Sequence, residues 1–244
     1  MPGADAMLEC TGLVVRYGPV EALHGCDIRA DTGTITAILG ANGAGKSSLM
    51  KAIAGLAPAV AGRITAGDAD ITALPAHKRA QMGISMALEG RRLFHRMTVD
   101  ENLRVAWEFR IRDRPGNDFK RACERVFEWF PMLAARRDTL AGLLSGGQQQ
   151  MLILSSALIP APRYLLLDEP SLGLAPTIVQ QIFSVISAIC RDSGTTIVLS
   201  EQVVAQALSV AHRVYVLKRG DVVRQGTASE LALDESLSAA YLGG

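Results

Sequence analysis

Gly40-Ala41-Asn42-Gly43-Ala44-Gly45-Lys46-Ser47 has the spacing G-x-x-x-x-G-K-[ST]. Glycines at these places let the backbone curl until successive N–H groups point inward, a concavity that suits phosphate oxygens. The Lys46 ammonium can reach the β- and γ-phosphates of a nucleotide, and the Ser47 hydroxyl is a hard oxygen suited to Mg2+. A second signal is Tyr164-Leu165-Leu166-Leu167-Asp168-Glu169, an apolar strand ending in two carboxylates. Asp168 suits Mg2+ through its water shell; Glu169, one residue on, points elsewhere and can polarise an attacking water. A glycine turn with a chance Lys-Ser, or a strand closed by a solvated acidic turn, would each explain one motif alone. Neither explains both together.

These motifs need a scaffold. Thr34 to Leu39 reads as a buried strand running into the glycine-rich turn, and Ser47 to Ala54 reads as a helix with Gly55 as its C-cap. Leu8 to Tyr17, Arg63 to Ala66 and Ile84 to Ala87 are further strands. From about residue 91 to 161 the pattern turns helical. Thr98 can cap a helix with Glu101 three residues on, Asp118 to Phe130 has helical spacing and stops at Pro131, and Gln148 to Leu158 is a third helix. This block is read as a helical subdomain inserted in an α/β core. After it come a helix over Pro176 to Arg191, a strand over Thr195 to Ser200 and a helix over Val203 to Val210. Arg213 to Lys218 and Val222 to Gln225 read as a hairpin around Arg219-Gly220-Asp221. Strands alternating with helices imply a mostly parallel sheet.

Composition narrows the function. The chain has 244 residues, enough for one domain of normal to large size. The net charge is +1, aromatics are only 5%, and no stretch carries a dense Lys/Arg cluster, Arg91-Arg92 and Arg136-Arg137 being no more than pairs. Nucleic acid is therefore not expected as a partner. Cys10, Cys26, Cys123 and Cys190 are far apart, so reduced thiols are expected and zinc or a disulfide framework is not. No leader pattern opens the chain, and the most apolar stretch, Met151 to Pro162, is shorter than the ~20 residues a membrane span needs. A chain that is soluble by itself is expected, working at a membrane only through partners.

Leu144-Ser145-Gly146-Gly147-Gln148 lies 20 residues before the acid pair. With the phosphate cradle upstream, the chain resembles the ABC ATPases along its whole length. The resemblance implies an ABC-type P-loop fold: a RecA-like core, an N-terminal antiparallel β subdomain and the inserted α-helical subdomain. It implies ATP and Mg2+, with Asn42, Gly43, Ala44, Gly45, Lys46, Ser47 and Ser48 around the phosphates. Ser145, Gly146, Gly147 and Gln148 would close on the γ-phosphate of a nucleotide held by a second subunit, since small residues at a helix start expose N–H donors. Tyr17 matches the aromatic that stacks on adenine, with a plain β-edge tyrosine as the rival reading. A P-loop kinase or GTPase lacks the Leu144–Gln148 motif.

Three positions depart from the common family pattern. Glu89 stands where most members have glutamine, Gln202 where most have histidine, and Ala175 where most have aspartate. The stretches Glu89-Gly90-Arg91-Arg92, Ser171-Leu172-Gly173-Leu174-Ala175-Pro176 and Glu201-Gln202 resemble the LivF-type ATPases of branched-chain amino acid importers. Leu88 and Val203 differ from that subgroup, where proline and asparagine are usual. The resemblance implies Glu169, Lys46 and Gln202 as catalytic residues and Ser47, Asp168 and Glu89 around the metal. It also implies permease partners, a second ATPase subunit and an extracytoplasmic binding protein, at the cytoplasmic face of the membrane. A urea, amide or lipid-export cassette and a soluble ABC protein are the alternatives.

Overall fold

The computed structural model describes residues 7–88, 90, 93–111 and 118–233. Glu89, assigned above to the metal, lies outside the described residues, as do Arg91 and Arg92.

The chain opens with two antiparallel strands, β1 (Leu8–Tyr17) and β2 (Val20–Ala30). It continues through β3 (Ile35–Leu39), α1 (Lys46–Ala54), β4 (Ala59–Ala66), β5 (Ala69–Asp70), α2 (Ala76–Gln81) and β6 (Ile84–Ala87). A helical stretch follows: α3 (Val99–Ile111), α4 (Phe119–Trp129), α5 (Pro131–Ala134) and α6 (Gly146–Leu158). The last part is β7 (Tyr164–Asp168), α7 (Pro176–Ser193), β8 (Thr196–Glu201), α8 (Val204–Leu208), β9 (Arg213–Lys218), β10 (Asp221–Thr227) and α9 (Ala228–Ala232).

Two sheets result. One is antiparallel, in the order β2-β1-β4-β5; the other has the order β10-β9-β3-β8-β7-β6 and is parallel except for β10. Every residue of β3, β7 and β8 is buried, as expected of parallel strands covered on both faces. Successive β7 side chains divide between two cores. Leu165 and Leu167 pack with α6 and α7 residues such as Leu154, Ile182 and Ile186, while Tyr164 and Leu166 pack with Leu49 and Ile53 of α1 and with the antiparallel sheet.

Local chemistry explains the element ends. Thr98 and Glu101 form the expected reciprocal cap of α3: Thr98 N–H donates to Glu101 Oε2 at 2.7 Å, and Glu101 N–H to Thr98 Oγ1 at 3.2 Å. In α7 the buried positions Val179, Ile182, Phe183, Ile186, Ile189 and Cys190 follow the helical period, and Gly194 closes it in the left-handed region at φ 66°. The buried Arg79 of α2 spans the end of α1. Its guanidinium donates to the carbonyls of Ala52 (2.6 Å), Ile53 (2.9 Å), Thr72 (2.9 Å) and Leu74 (2.8 Å). It thus satisfies carbonyls that a helix C-terminus leaves without partners.

Candidate functional site

β3, β8 and β7 are adjacent in the sheet, so the three segments leaving their carboxyl ends meet. This is where ligands bind in open α/β sheets. The first segment is Gly40 to Gly45, which turns directly into α1. Gly45 has φ 109°, and a Cβ there would lie 2.8 Å from both the Ala22 carbonyl oxygen and Leu23 Cδ2. Only glycine fits where β2 presses on the loop. Gly220, in the β9–β10 turn, donates its N–H to the Ala44 carbonyl at 2.9 Å and braces the loop from the other side. Asn42 and Gly43 are exposed, and Ser47 and Ser48 are partly so.

Lys46 is the first residue of α1 and is almost fully buried. Its Nζ donates to the Gly40 carbonyl at 2.7 Å and the Ala41 carbonyl at 3.1 Å, and lies 3.0 Å from Glu169 Oε1. Ser47 Oγ donates to Asp168 Oδ1 at 3.1 Å. That carboxylate oxygen also accepts from Ser200 Oγ at 2.7 Å. The first two motifs are therefore joined by two side-chain contacts across more than a hundred residues of sequence.

Glu169 leaves β7 with φ 48°, in the left-handed region. Its backbone N–H reaches both the carbonyl oxygen and Oγ of Ser200, each at 3.1 Å, which holds this uncommon conformation. Glu169 Oε2 accepts from Gln202 Nε2 at 2.7 Å. Both carboxylate oxygens are thus engaged, one by a cation and one by an amide.

Two residues at the end of β8 escaped the sequence reading. Ser200 links Asp168 to Glu169. Glu201, only 2% exposed, accepts from Ser171 N–H with Oε1 and from Gln202 N–H with Oε2, both at 3.2 Å. Burial pushes its carboxyl above the ordinary glutamate range, against the pull of the Ser171 side chain and of those two backbone donors. The signal in the sequence was a polar pair closing the apolar run Ile197-Val198-Leu199.

Ser145 caps α6, which begins at Gly146, two residues earlier than the sequence reading placed it. Ser145 Oγ accepts from Gln148 N–H at 3.4 Å, and Gln148 Oε1 accepts from Ser145 N–H at 3.0 Å. Gly147 is pressed against α7, where a Cβ would lie 2.8 Å from Ile178 Cγ2. Among the described residues, no hydrogen bond or ion pair joins Ser145–Gln148 to the Lys46–Glu169 cluster. Tyr17 ends β1 opposite Val20 at the tip of the first hairpin, 43% exposed; the next strand brings Ala22 and Leu23 against Gly45.

The chain is similar to known proteins along its length. The family described as ABC transporter matches residues 23–172, a span holding the cradle, the Ser145–Gln148 turn and the acid pair. The chain is 41% identical over 238 residues to the high-affinity branched-chain amino acid transport ATP-binding protein BraG of Pseudomonas aeruginosa, covering 98% of this chain and 100% of that protein. It is 35% identical to the probable branched-chain amino acid transport ATP-binding protein LivF of Archaeoglobus fulgidus, covering 97% and 99%. The lipopolysaccharide export system ATP-binding protein LptB of Escherichia coli K12 is 32% identical, with 98% of each chain covered. Among solved structures, the ADP conformation of an ATP-binding cassette of an ABC transporter superposes with a TM-score of 0.85 at 26% identity, over 98% of this chain and 99% of that one. Among the described residues no helix is long and apolar enough to cross a membrane. The chain belongs to the ABC transporter family and is one of its ATP-binding, ATP-hydrolysing cassettes.

Proposed function

We propose that this chain powers an importer of branched-chain or related amino acids from the cytoplasmic face of the membrane. The observation that carries the catalytic part is the buried meeting of Lys46, Glu169 and Gln202 beside the Ser47–Asp168 pair. The cargo class is supported by the two branched-chain amino acid relatives, each aligned over almost its whole length.

The residues divide the work. Lys46 and the N–H groups of Asn42 to Ser48 hold the β- and γ-phosphates of ATP, with Tyr17 against the adenine. Ser47 and Asp168 offer converging hard oxygens that fit Mg2+, a cation that takes few protein ligands beside substrate phosphates. When bound, Mg2+ neutralises charge on the β- and γ-phosphates. As the γ-phosphate arrives, Lys46 exchanges the Glu169 carboxylate for phosphate oxygen. Glu169 then orients a water whose oxygen attacks the γ-phosphorus in line as the bond to the β-phosphate oxygen breaks. Gln202 holds Glu169 and can donate to the γ-phosphate without carrying the charge a histidine could.

Ser145, Gly146 and Gly147 serve the nucleotide of a second cassette, which is supported by their separation from the chain's own cluster. Gln148 positions Ser145. The inserted segment of about residues 91–161 is read as the moving helical subdomain, and Glu89 as a carboxylate near the metal that couples it to the site. A groove of about 340 Å³ lies between α1, α2 and β6, lined by Leu56, His77, Ala80, Met86 and Leu88. It is the seat assigned to a permease segment. An extracytoplasmic binding protein supplies the cargo.

Co-purification of the tagged chain from gently solubilised membranes, with mass spectrometry of its companions, tests this reading. Two permease chains and a second cassette are expected. Recovery of lipid-export components, or of ribosomes or nucleic acid without membrane proteins, would overturn the importer assignment.

A further inference from the structure

The end of β8 acts as a template for the loop leaving β7. Three consecutive residues make the links. Ser200 receives the Glu169 N–H and donates to Asp168, Glu201 receives the Ser171 N–H, and Gln202 donates to the Glu169 carboxylate. Glu201 is the member that touches none of the groups assigned to catalysis through its side chain except the Gln202 backbone. It is also the costly member. A buried carboxylate must offset its desolvation with strong bonds, and among the described residues no cation pairs with it. A neutral side chain would fill the space more cheaply, so the second acceptor oxygen is what the acid adds.

We infer that Glu201 is a positioning residue for ATP hydrolysis, a two-oxygen clamp that fixes Gln202, and through it Glu169, relative to the loop at Ser171. One oxygen stops the loop 169–172 from drifting, and the other fixes the backbone from which Gln202 reaches 2.7 Å to Glu169 Oε2. The Leu172 N–H donating to the Glu169 carbonyl at 3.2 Å closes the same turn, so displacement at Ser171 is felt at Glu169. Register supports the placement: Glu201 lies opposite Leu39, the residue before the phosphate loop, and Ser200 opposite Asp168. This inference rests on the reading of Glu169 as the residue that orients water.

The test uses the full-length chain in its purified assembly, with Mg2+ and ATP. Glu201→Gln keeps the size but offers one carbonyl oxygen and one NH2 to two N–H donors, so one donor loses its acceptor. The expected result is a fall in kcat of about tenfold with KM and fluorescent-ATP affinity within about twofold, the split that marks loss of a transition-state arrangement. Because Glu201 acts through Gln202, its loss and that of Gln202→Ala do not add in the double variant. An unchanged kcat, a raised KM alone, or a lowered melting temperature with unchanged hydrolysis would each overturn the inference. If Glu201→Gln does not accumulate as folded protein, Glu201→Asp takes its place; it keeps the charge, shortens the reach to Ser171 and gives the same split. Glu169→Gln is run beside them. If it still hydrolyses ATP, the water-orienting reading and this inference both fall; if it is inactive while Glu201→Gln turns over normally, only the inference falls.

Discussion

Lys46 Nζ lies 3.0 Å from Glu169 Oε1, with the two side chains 3% and 7% exposed. The phosphate-loop lysine and the acidic residue of the second motif thus form a buried ion pair. Removing one partner strands the other charge away from water. Lys46→Met is expected to cost about 3–5 kcal/mol of folding stability, and Lys46→Met with Glu169→Gln to recover most of it. Chemical denaturation of the two variants decides this. Equal losses in both would show that Glu169 relaxes into solvent once its partner is gone.

Ser47 shares Asp168 Oδ1 with Ser200, so its hydroxyl is directed toward the acid rather than into α1. Ser47→Ala is expected to lower hydrolysis by about a hundredfold and to raise the Mg2+ concentration needed for half-maximal rate. Titrating the residual rate with Mg2+ is the check. A rate drop with no change in Mg2+ requirement would remove Ser47 from the metal.

Arg79 makes a purely structural prediction. Arg79→Met takes the guanidinium from four carbonyl oxygens, of which the two from the last turn of α1 are bonded in a buried setting and the other two in a partly buried one. A loss of about 3–5 kcal/mol is expected. ATP turnover per folded molecule should hold. A urea midpoint unchanged from the parent would contradict it.

His24 Nδ1 lies 3.2 Å from Asp221 Oδ2, and that hydrogen bond raises the imidazole pKa above its ordinary 6.5. A raised folded-state value means the native chain holds this proton more tightly than the unfolded chain. The pair's contribution to stability is therefore complete below 6.5 and is lost as pH climbs through the raised value. Asp221→Asn should bring the His24 titration, followed by NMR, back toward 6.5, and should destabilise more at about pH 5 than at about pH 9. Destabilisation of equal size at both values would assign Asp221 a role in the hairpin turn alone.

The sequence made the chemistry easier to read than the scaffold. Lys46, Ser47, Asp168 and Glu169 stood out because phosphate binding demands those types at those spacings. Gln202 was found only through resemblance, since a glutamine after a strand has no periodic signal. Ser200 and Glu201 were missed as site residues because they bond to the end of β7 and the loop that leaves it, and the adjacency of β7 and β8 depends on sheet order, which spacing does not reveal. β2 went unread for a local reason. Its alternation of buried Leu23, Cys26, Ile28 and Ala30 is interrupted at Gly25, φ 96°, where the pairing with β1 shifts register. α2 was missed because its buried residue is Arg79, a type that signals surface until its four carbonyl partners are seen.

The order β3-β8-β7 in the sheet also makes nucleotide a sensor of folding. Ser47 and Asp168 are 121 residues apart in the chain, and only a completed parallel sheet brings them together. A partly folded molecule, or either half of a cleaved one, offers a fragment of the cradle with nothing across from it. Any ligand that needs both banks binds the finished sheet alone, and at a hundred times its Kd it adds about 2.7 kcal/mol to the stability of that state. In a cell rich in such a ligand, the molecules that survive heat or protease are the ones already competent to bind it.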